Sequence, residues 1–260
     1  MLSYLLAFTL LFAYVSTHGG VWEYEIEGIT YEGYKWWEAD AGQVSMQFRW
    51  PSRNPLYSTS DPNLACNVGG TPTSPSVYAP IHAGSVIKAH YDKNFHIPGE
   101  NPEYDNSTWS HDYGPIFIYM AECPGYDCGK VDTQAPIWFK VYEASLLNGT
   151  WTTGYWAMQT LSKGGTLDYT IPGDMKPGRY LIRHELISIE TGQMQIFPEC
   201  AQIEVIGEGS NVPGPDYTRV AFPGGYADSD PGLNLTAYDF WYGHENDTYY
   251  PMPGPPLWKP

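Results

Sequence analysis

The chain carries seven histidines, and the sequence around each sets what chemistry it can do. His18 stands in VSTHGG, where an apolar leader gives way to polar sequence. Once cleavage makes it the first residue, it offers two nitrogens together. Its α-amine, with a reference pKa of about 8, yields its proton readily to a metal, and the ring Nδ1 closes a chelate with it. One further imidazole completes a T-shaped set of three nitrogens. Tetragonal nitrogen coordination suits Cu(II), which also heads the divalent affinity series, whereas zinc favours a tetrahedral set. The candidate for the second imidazole is His111 in WSHDYGPIFIYMA, on the approach to a strand where Gly114-Pro115 fixes a turn. His96, in KNFHIPGE, competes for the role.

These residues need a processed N-terminus and a rigid frame. Residues 4–15, YLLAFTLLFAYV, are almost wholly apolar, the length of a signal-peptide core and too short to span a bilayer. Val15 and Thr17 then occupy the −3 and −1 positions of a cleavage before His18, so residues 1–17 read as a signal peptide and the protein as secreted and extracellular. Cys66, Cys123, Cys128 and Cys200 imply two disulfides in that setting, with three connectivities open. Cys123 and Cys128, close together in ECPGYDCG, would close a small loop and leave Cys66 with Cys200. A zinc site is the other reading of four thiols, but they do not form two close pairs. Asn106, Asn148, Asn234 and Asn246 head N-x-S/T glycosylation sequons in polar, turn-like contexts.

The formal charge of −16, untouched by removal of residues 1–17, argues against nucleic acid or an anionic membrane as partner. With 27 glycines and 23 prolines, helical windows are broken nearly everywhere. Short β-like stretches recur instead: SVIKAHY, PIFIYMA, IWFKVYE, TLDYTI, RYLIRHELISI and MQIFPECAQIEVI. The pattern predicts an all-β fold, an antiparallel β-sandwich with long loops, as one domain over residues 18–260. Residues 208–260 read as an extended tail, and their aromatics predict that it packs along the domain. The 22 tyrosines and 10 tryptophans exceed what one core needs, so some are expected to face outward as a sugar-stacking surface.

In RYLIRHELISI, alternation puts Tyr180, Ile182, His184 and Leu186 on one face, and in the next stretch Gln195 and Phe197 share a face. A hairpin would bring His184, Gln195 and Phe197 together; a hydrogen-bonded structural pair of His184 and Gln195 is the other reading.

Taken together, His18-Gly19, SDPNLACN, WSHDYGPIFIYMAEC, WFKVYE, YTIPGDMKPGRYLIRHELISIE, QIFPECAQIEV, PGGYADSDPG and YPMPGPPLW carry a resemblance that runs nearly end to end. The chain resembles a fungal lytic polysaccharide monooxygenase of auxiliary activity family nine, formerly glycoside hydrolase family sixty-one. The resemblance implies an immunoglobulin-like sandwich with a flat face and one copper ion, held by His18 and His111 as a histidine brace. The family motif around the second histidine is H-x-G-P or H-x-x-G-P. His111-Asp112-Tyr113-Gly114-Pro115 fits the longer form, while the shorter would put Asp112 at the ligand position. His184 and Gln195 match the family's second-sphere pair. Phe197, in QIFP, stands where the family usually has an axial tyrosine, which removes the phenol oxygen.

The implied activity is oxidative cleavage of cellulose or associated hemicellulose at C1 or C4. It implies hydrogen peroxide or oxygen as co-substrate, an external electron donor, and a monomer acting at a polysaccharide surface. Tyr250 matches the aromatic of the C-terminal loop that stacks on sugar; Trp241, Tyr242 and Tyr249 are further candidates, and YEGYKWW either extends that surface or covers the sandwich. Two other readings stand beside this one. A hydrolase would need a defined carboxylate pair, and none can be picked among 29 acids. A secreted copper-binding or cell-wall protein could keep the fold without oxidising glycans.

Overall fold

The computed structural model describes residues 19–92 and 108–260. The leader 1–17, His18, His96 and Asn106 lie outside the described residues. Two sheets face each other. One holds β1 (Gly20–Ile26), β2 (Ile29–Glu32), β4 (Val86–Asp92) and β9 (Thr166–Thr170) in the order β2-β1-β4-β9. The other holds β3 (Ala79–His82), β5 (Ile116–Glu122), β6 (Phe139–Ala144), β10 (Gly178–Ser188) and β11 (Gln195–Ile206) in the order β3-β11-β10-β5-β6. All pairings are antiparallel except β3 with β11. A small third pair, β7 (Leu146–Asn148) with β8 (Tyr155–Trp156), precedes a short helix, α1 (Met158–Ser162). The predicted β-sandwich is the observed fold. Among the described residues no helix is long and apolar enough to cross a membrane.

Alternation builds the core between the sheets. Val21, Tyr24 and Ile26 of β1, with Ile87, Ala89 and Tyr91 of β4, meet Tyr180, Ile182 and Leu186 of β10 and Phe197, Ala201 and Ile203 of β11. The outer face of the larger sheet is buried as well. Phe117, Tyr119, Leu181, Ile187 and Ile196 lie under Phe48, Leu56 and Leu64 on one side and under Phe222, Tyr226, Leu233, Phe240 and Tyr250 of the C-terminal region on the other. β10 is therefore buried almost along its whole length, on both faces. Its outward charges are absorbed rather than solvated. The fully buried Arg183 pairs with Glu185 and donates to the carbonyls of Leu64 and Ala65, each at 2.7 Å.

Both disulfides take the pairing that the short Cys123–Cys128 loop suggested. Cys66 joins Cys200 of β11 across 134 positions, and Cys123 joins Cys128 across 5. Chain entropy makes the long loop the stronger constraint on the unfolded state. Removing Cys66–Cys200 by paired serines is expected to cost about 5 kcal/mol, and removing Cys123–Cys128 about 2 kcal/mol. Chemical denaturation of both variants measures the order, and a larger loss from the short loop would overturn it.

Candidate functional site

The HDYGP turn docks on the end of β10. The Ile187 amide donates to the Pro115 carbonyl at 3.1 Å and the Ile189 amide to Tyr113 at 3.2 Å. Gly114 is required there: its φ is 139°, and a Cβ would fall 1.9 Å from the Ile187 carbonyl oxygen. This docking buries the His111 ring among Trp109, at 5.6 Å between centroids, and Phe197, at 5.7 Å, with Trp109 and Phe197 edge-to-face at 4.9 Å.

One nitrogen of His111 is held and the other is not. Nδ1 lies 2.8 Å from Glu190 Oε1 and 3.1 Å from Ser188 Oγ, whose hydroxyl donates to Glu190 Oε2 at 2.8 Å. With a carboxylate as acceptor, Nδ1 is the nitrogen that donates, and in the neutral ring Nε2 is then the one with the lone pair. Nε2 is buried and has no hydrogen-bond partner among the described residues. An imidazole fixed through one nitrogen by a carboxylate, with the other left open, is the arrangement of a metal-ligating histidine. Asp112, the other reading of the motif, turns away and accepts from Ser162 of α1. Among the described residues no group of three metal-binding side chains assembles.

The described chain starts deeper along β11. Gly20 opens β1 against Glu199, two residues along β11 from Phe197 on the same face, and the Val21 amide donates to Glu199 Oε2 at 2.8 Å. A Cβ on Gly20 would meet Glu199 Oε1 at 1.8 Å, which explains the second glycine of HGG.

Of the proposed hairpin set, Gln195 stands at this end, opposite Ser188; its Oε1 is buried and unpaired among the described residues. His184 does not. It is paired with Glu199, four residues from Ser188, which places it roughly 13 Å deeper along the strand. Its ring lies against Tyr24 at 5.6 Å, and neither nitrogen has a partner among the described residues. The assignment to the site fails because alternation fixes a residue's face but not its depth. Glu190 and Ser188 are the side chains found against His111 instead. The sequence carried a signal for them: both share the face of His184, further along toward the turn.

Tyr250 also needs correction. Its ring is only 3% exposed, packed on Trp151 and Trp156, and its hydroxyl donates to the Gly232 carbonyl at 2.7 Å. A side chain so placed cannot stack on an external sugar. Its neighbour Tyr249 is 74% exposed, with Tyr242 at 68% and Trp241 at 37%. Trp241 leans on Tyr113 and donates from Nε1 to the Glu190 carbonyl at 3.2 Å. In YEGYKWW, Tyr34 is buried with Trp50, while Trp36 and Trp37 remain half-buried, edge-to-face at 5.9 Å. Asn148, Asn234 and Asn246 are all exposed.

Burial shifts two titratable groups beneath the site in opposite directions, each toward its neutral form. It pushes Glu199 up to about 8 despite hydrogen bonds from Val21 and Gln47, and pushes His184 down to about 3. The stability that Glu199 contributes is complete below its ordinary 4.5 and is lost as pH rises through 8. That of His184 is complete above 6.5 and is lost as pH falls through 3. Urea denaturation should show falling stability from pH 6.5 to 8, at up to about 1.4 kcal/mol per pH unit, flattened by Glu199→Gln; a wild-type curve already flat there would contradict the assignment. Tyr250→Ala is expected to cost about 3–5 kcal/mol and Tyr249→Ala at most about 0.5 kcal/mol. Equal losses in the same denaturation assay would refute their opposite placement.

Comparisons with known proteins identify the family. The sequence profile of Auxiliary Activity family 9, formerly GH61, matches residues 18–249, starting at His18. The chain is 35% identical to AA9 family lytic polysaccharide monooxygenase B of Heterobasidion irregulare over 94% of its own length and 93% of that protein. It is 36% identical to monooxygenase D of Thermothelomyces thermophilus over 96% and 92%, and to the monooxygenase-like protein CEL1 of Agaricus bisporus over 97% and 74%. The crystal structure of HiLPMO9B superposes with a TM-score of 0.80 at 35% identity, covering 94% of this chain and all of that one. A cellulose-active polysaccharide monooxygenase from M. thermophila superposes with 0.77 at 35% identity, covering 93% and 99%. The chain therefore belongs to auxiliary activity family 9, the lytic polysaccharide monooxygenases, enzymes of oxidative polysaccharide cleavage.

Proposed function

We propose that the protein is a secreted copper enzyme that cleaves β-1,4-linked polysaccharide, cellulose or associated hemicellulose, by taking hydrogen from C1 or C4. The observation that carries this reading is the His111 imidazole, clamped through Nδ1 with Nε2 buried and open. His18 precedes Gly19 by one peptide bond, and the chain then enters β1 at Gly20. Cleavage after Thr17 would free its amine. Amine, ring nitrogen and His111 Nε2 would then make a donor set suited to copper. Copper, when bound, supplies the one-electron chemistry that draws on an external reductant and on oxygen or hydrogen peroxide.

The rest of the site positions and shields. Gln195, with its open Oε1, can hydrogen-bond an oxygen co-substrate. Phe197 and Trp109 wall the inner side with apolar surface and offer no oxygen ligand. Trp241, Tyr242 and Tyr249 offer exposed rings on which sugar can stack. Such a surface suits a chain in a crystalline array, which cannot enter a pocket. Exposed Asn148, Asn234 and Asn246 are accessible for glycosylation.

The processed protein, incubated with copper, a reductant and either cellulose or hemicellulose, is expected to release oxidised oligosaccharides detectable by mass spectrometry. His111→Ala should lose both copper binding and product. Absence of oxidised products from every substrate, with copper demonstrably bound, would sink the proposal.

A further inference from the structure

Glu190 lies just past the end of β10, its side chain 15% exposed and against a His111 side chain that is 5% exposed. Among the described residues its only ion-pair partner is His111. Among the described residues the charge is not spent on a lysine or arginine, and so little water reaches it that the field at the imidazole is weakly screened. The contact of 2.8 Å is the length of a charge-assisted hydrogen bond. Ser188 adds a second contact to the same nitrogen and ties down the other carboxylate oxygen. The carbonyl of Glu190 is itself engaged by Trp241. Carboxylate, hydroxyl and imidazole therefore form one closed unit, with a single nitrogen left open.

We infer that Glu190 is a positioning residue that, with Ser188, holds His111 in its Nδ1–H form and drives negative charge through the ring, biasing the centre toward Cu(II) over Cu(I). The inference rests on the copper reading above. A carboxylate behind a ligating imidazole makes the ligand more basic and favours the more highly charged metal. The inner wall opposite is the hydrocarbon of Phe197, which brings no anionic oxygen, so the negative charge reaches the site through the ligand's back.

The test uses the processed protein as wild type, Glu190→Gln and Ser188→Ala. Affinities for Cu(II) and Cu(I) are measured separately by competition with chelators selective for each state. Gln keeps an oxygen that accepts from Nδ1 but loses the charge. A purely structural role would leave the ratio of the two affinities unchanged. We expect Glu190→Gln to weaken Cu(II) binding by about 10–100-fold. Its Cu(II)/Cu(I) affinity ratio should fall about tenfold, which raises the reduction potential by about 59 mV. Ser188→Ala should shift the ratio less. An unchanged ratio in Glu190→Gln, with wild type binding copper normally, overturns the inference alone. A wild type that binds no copper removes the reading beneath it as well. Should Glu190→Gln fail to fold, nitrogen-15 NMR of the metal-free wild type decides: His111 protonated at Nδ1 supports the inference, and protonation at Nε2 overturns it.

Discussion

The fully buried ion pair of Arg183 and Glu185 is the constraint around which the larger sheet is organised. Two charges taken out of water cost several kcal/mol each unless every polar atom around them is used. Here most are. Arg183 reaches the carbonyls of Leu64 and Ala65, Phe222 lies 3.9 Å beneath the guanidinium, and Tyr226 donates to Glu185. These contacts come from two covers, the segment beside Cys66 and the C-terminal region, so both must be in place for the pair to be tolerated. Lys140 repeats the device at the neighbouring edge, donating to the Pro253 carbonyl and to Glu143 at 2.8 Å each. The result is a central strand buried on both faces, and a strand so confined is a rigid base for whatever stands at its end.

That end holds Ser188, and beyond it Glu190. Because β10 is buried on both faces, the His111 turn that docks on Ile187 and Ile189 takes its position from it. The same logic separates the polar groups by depth. Near the end, Ser188, Glu190 and His111 complete one another. Deeper, Glu199 is half satisfied, through one oxygen, by Val21 and Gln47. Across from it His184 is buried with neither nitrogen paired among the described residues, and the hydroxyls of Tyr24 and Tyr91 are in the same state. Each unpaired buried group costs about 1–3 kcal/mol. The ion pair, the disulfide to Cys200 and the apolar core must therefore carry that burden for the inner layer.

Much of this was readable in the residues. β4, β5, β6, β9, β10 and β11 fall on the short β-like stretches, which are rich in β-branched and aromatic residues and separated by turn signals. β3 falls on no such stretch: APIH is four residues long and joins β11 in parallel from a distant segment. In the site, His111 was legible from the turn that follows it, since Gly114-Pro115 can hold few other shapes. His184 misled because a histidine in an apolar strand looks functional, and period two reveals which face it takes but not how far from the end it lies. Glu190 was missed for the converse reason. A carboxylate just outside a strand looks solvated until the loop carrying its partner, 79 positions away in sequence, is folded against it. Tyr250 and Tyr249 show the same limit at one step of the chain: adjacent rings, one anchoring the tail and one facing out, differ only in which packs on Trp151.

The tail joins the two halves of the function. Phe240 packs into the cover over β10 beside Trp151 and Trp156, and the next residue, Trp241, reaches out to the Glu190 carbonyl. Tyr238 and Tyr242 flank it as an exposed pair with centroids 5.3 Å apart. A polysaccharide pressing on these rings would press on a segment anchored in the core on one side and hydrogen-bonded to the histidine clamp on the other. Aromatic surface and His111 clamp are therefore linked through Trp241. A substrate stacked on the tail rings, as proposed, would thereby be oriented relative to Nε2 of His111.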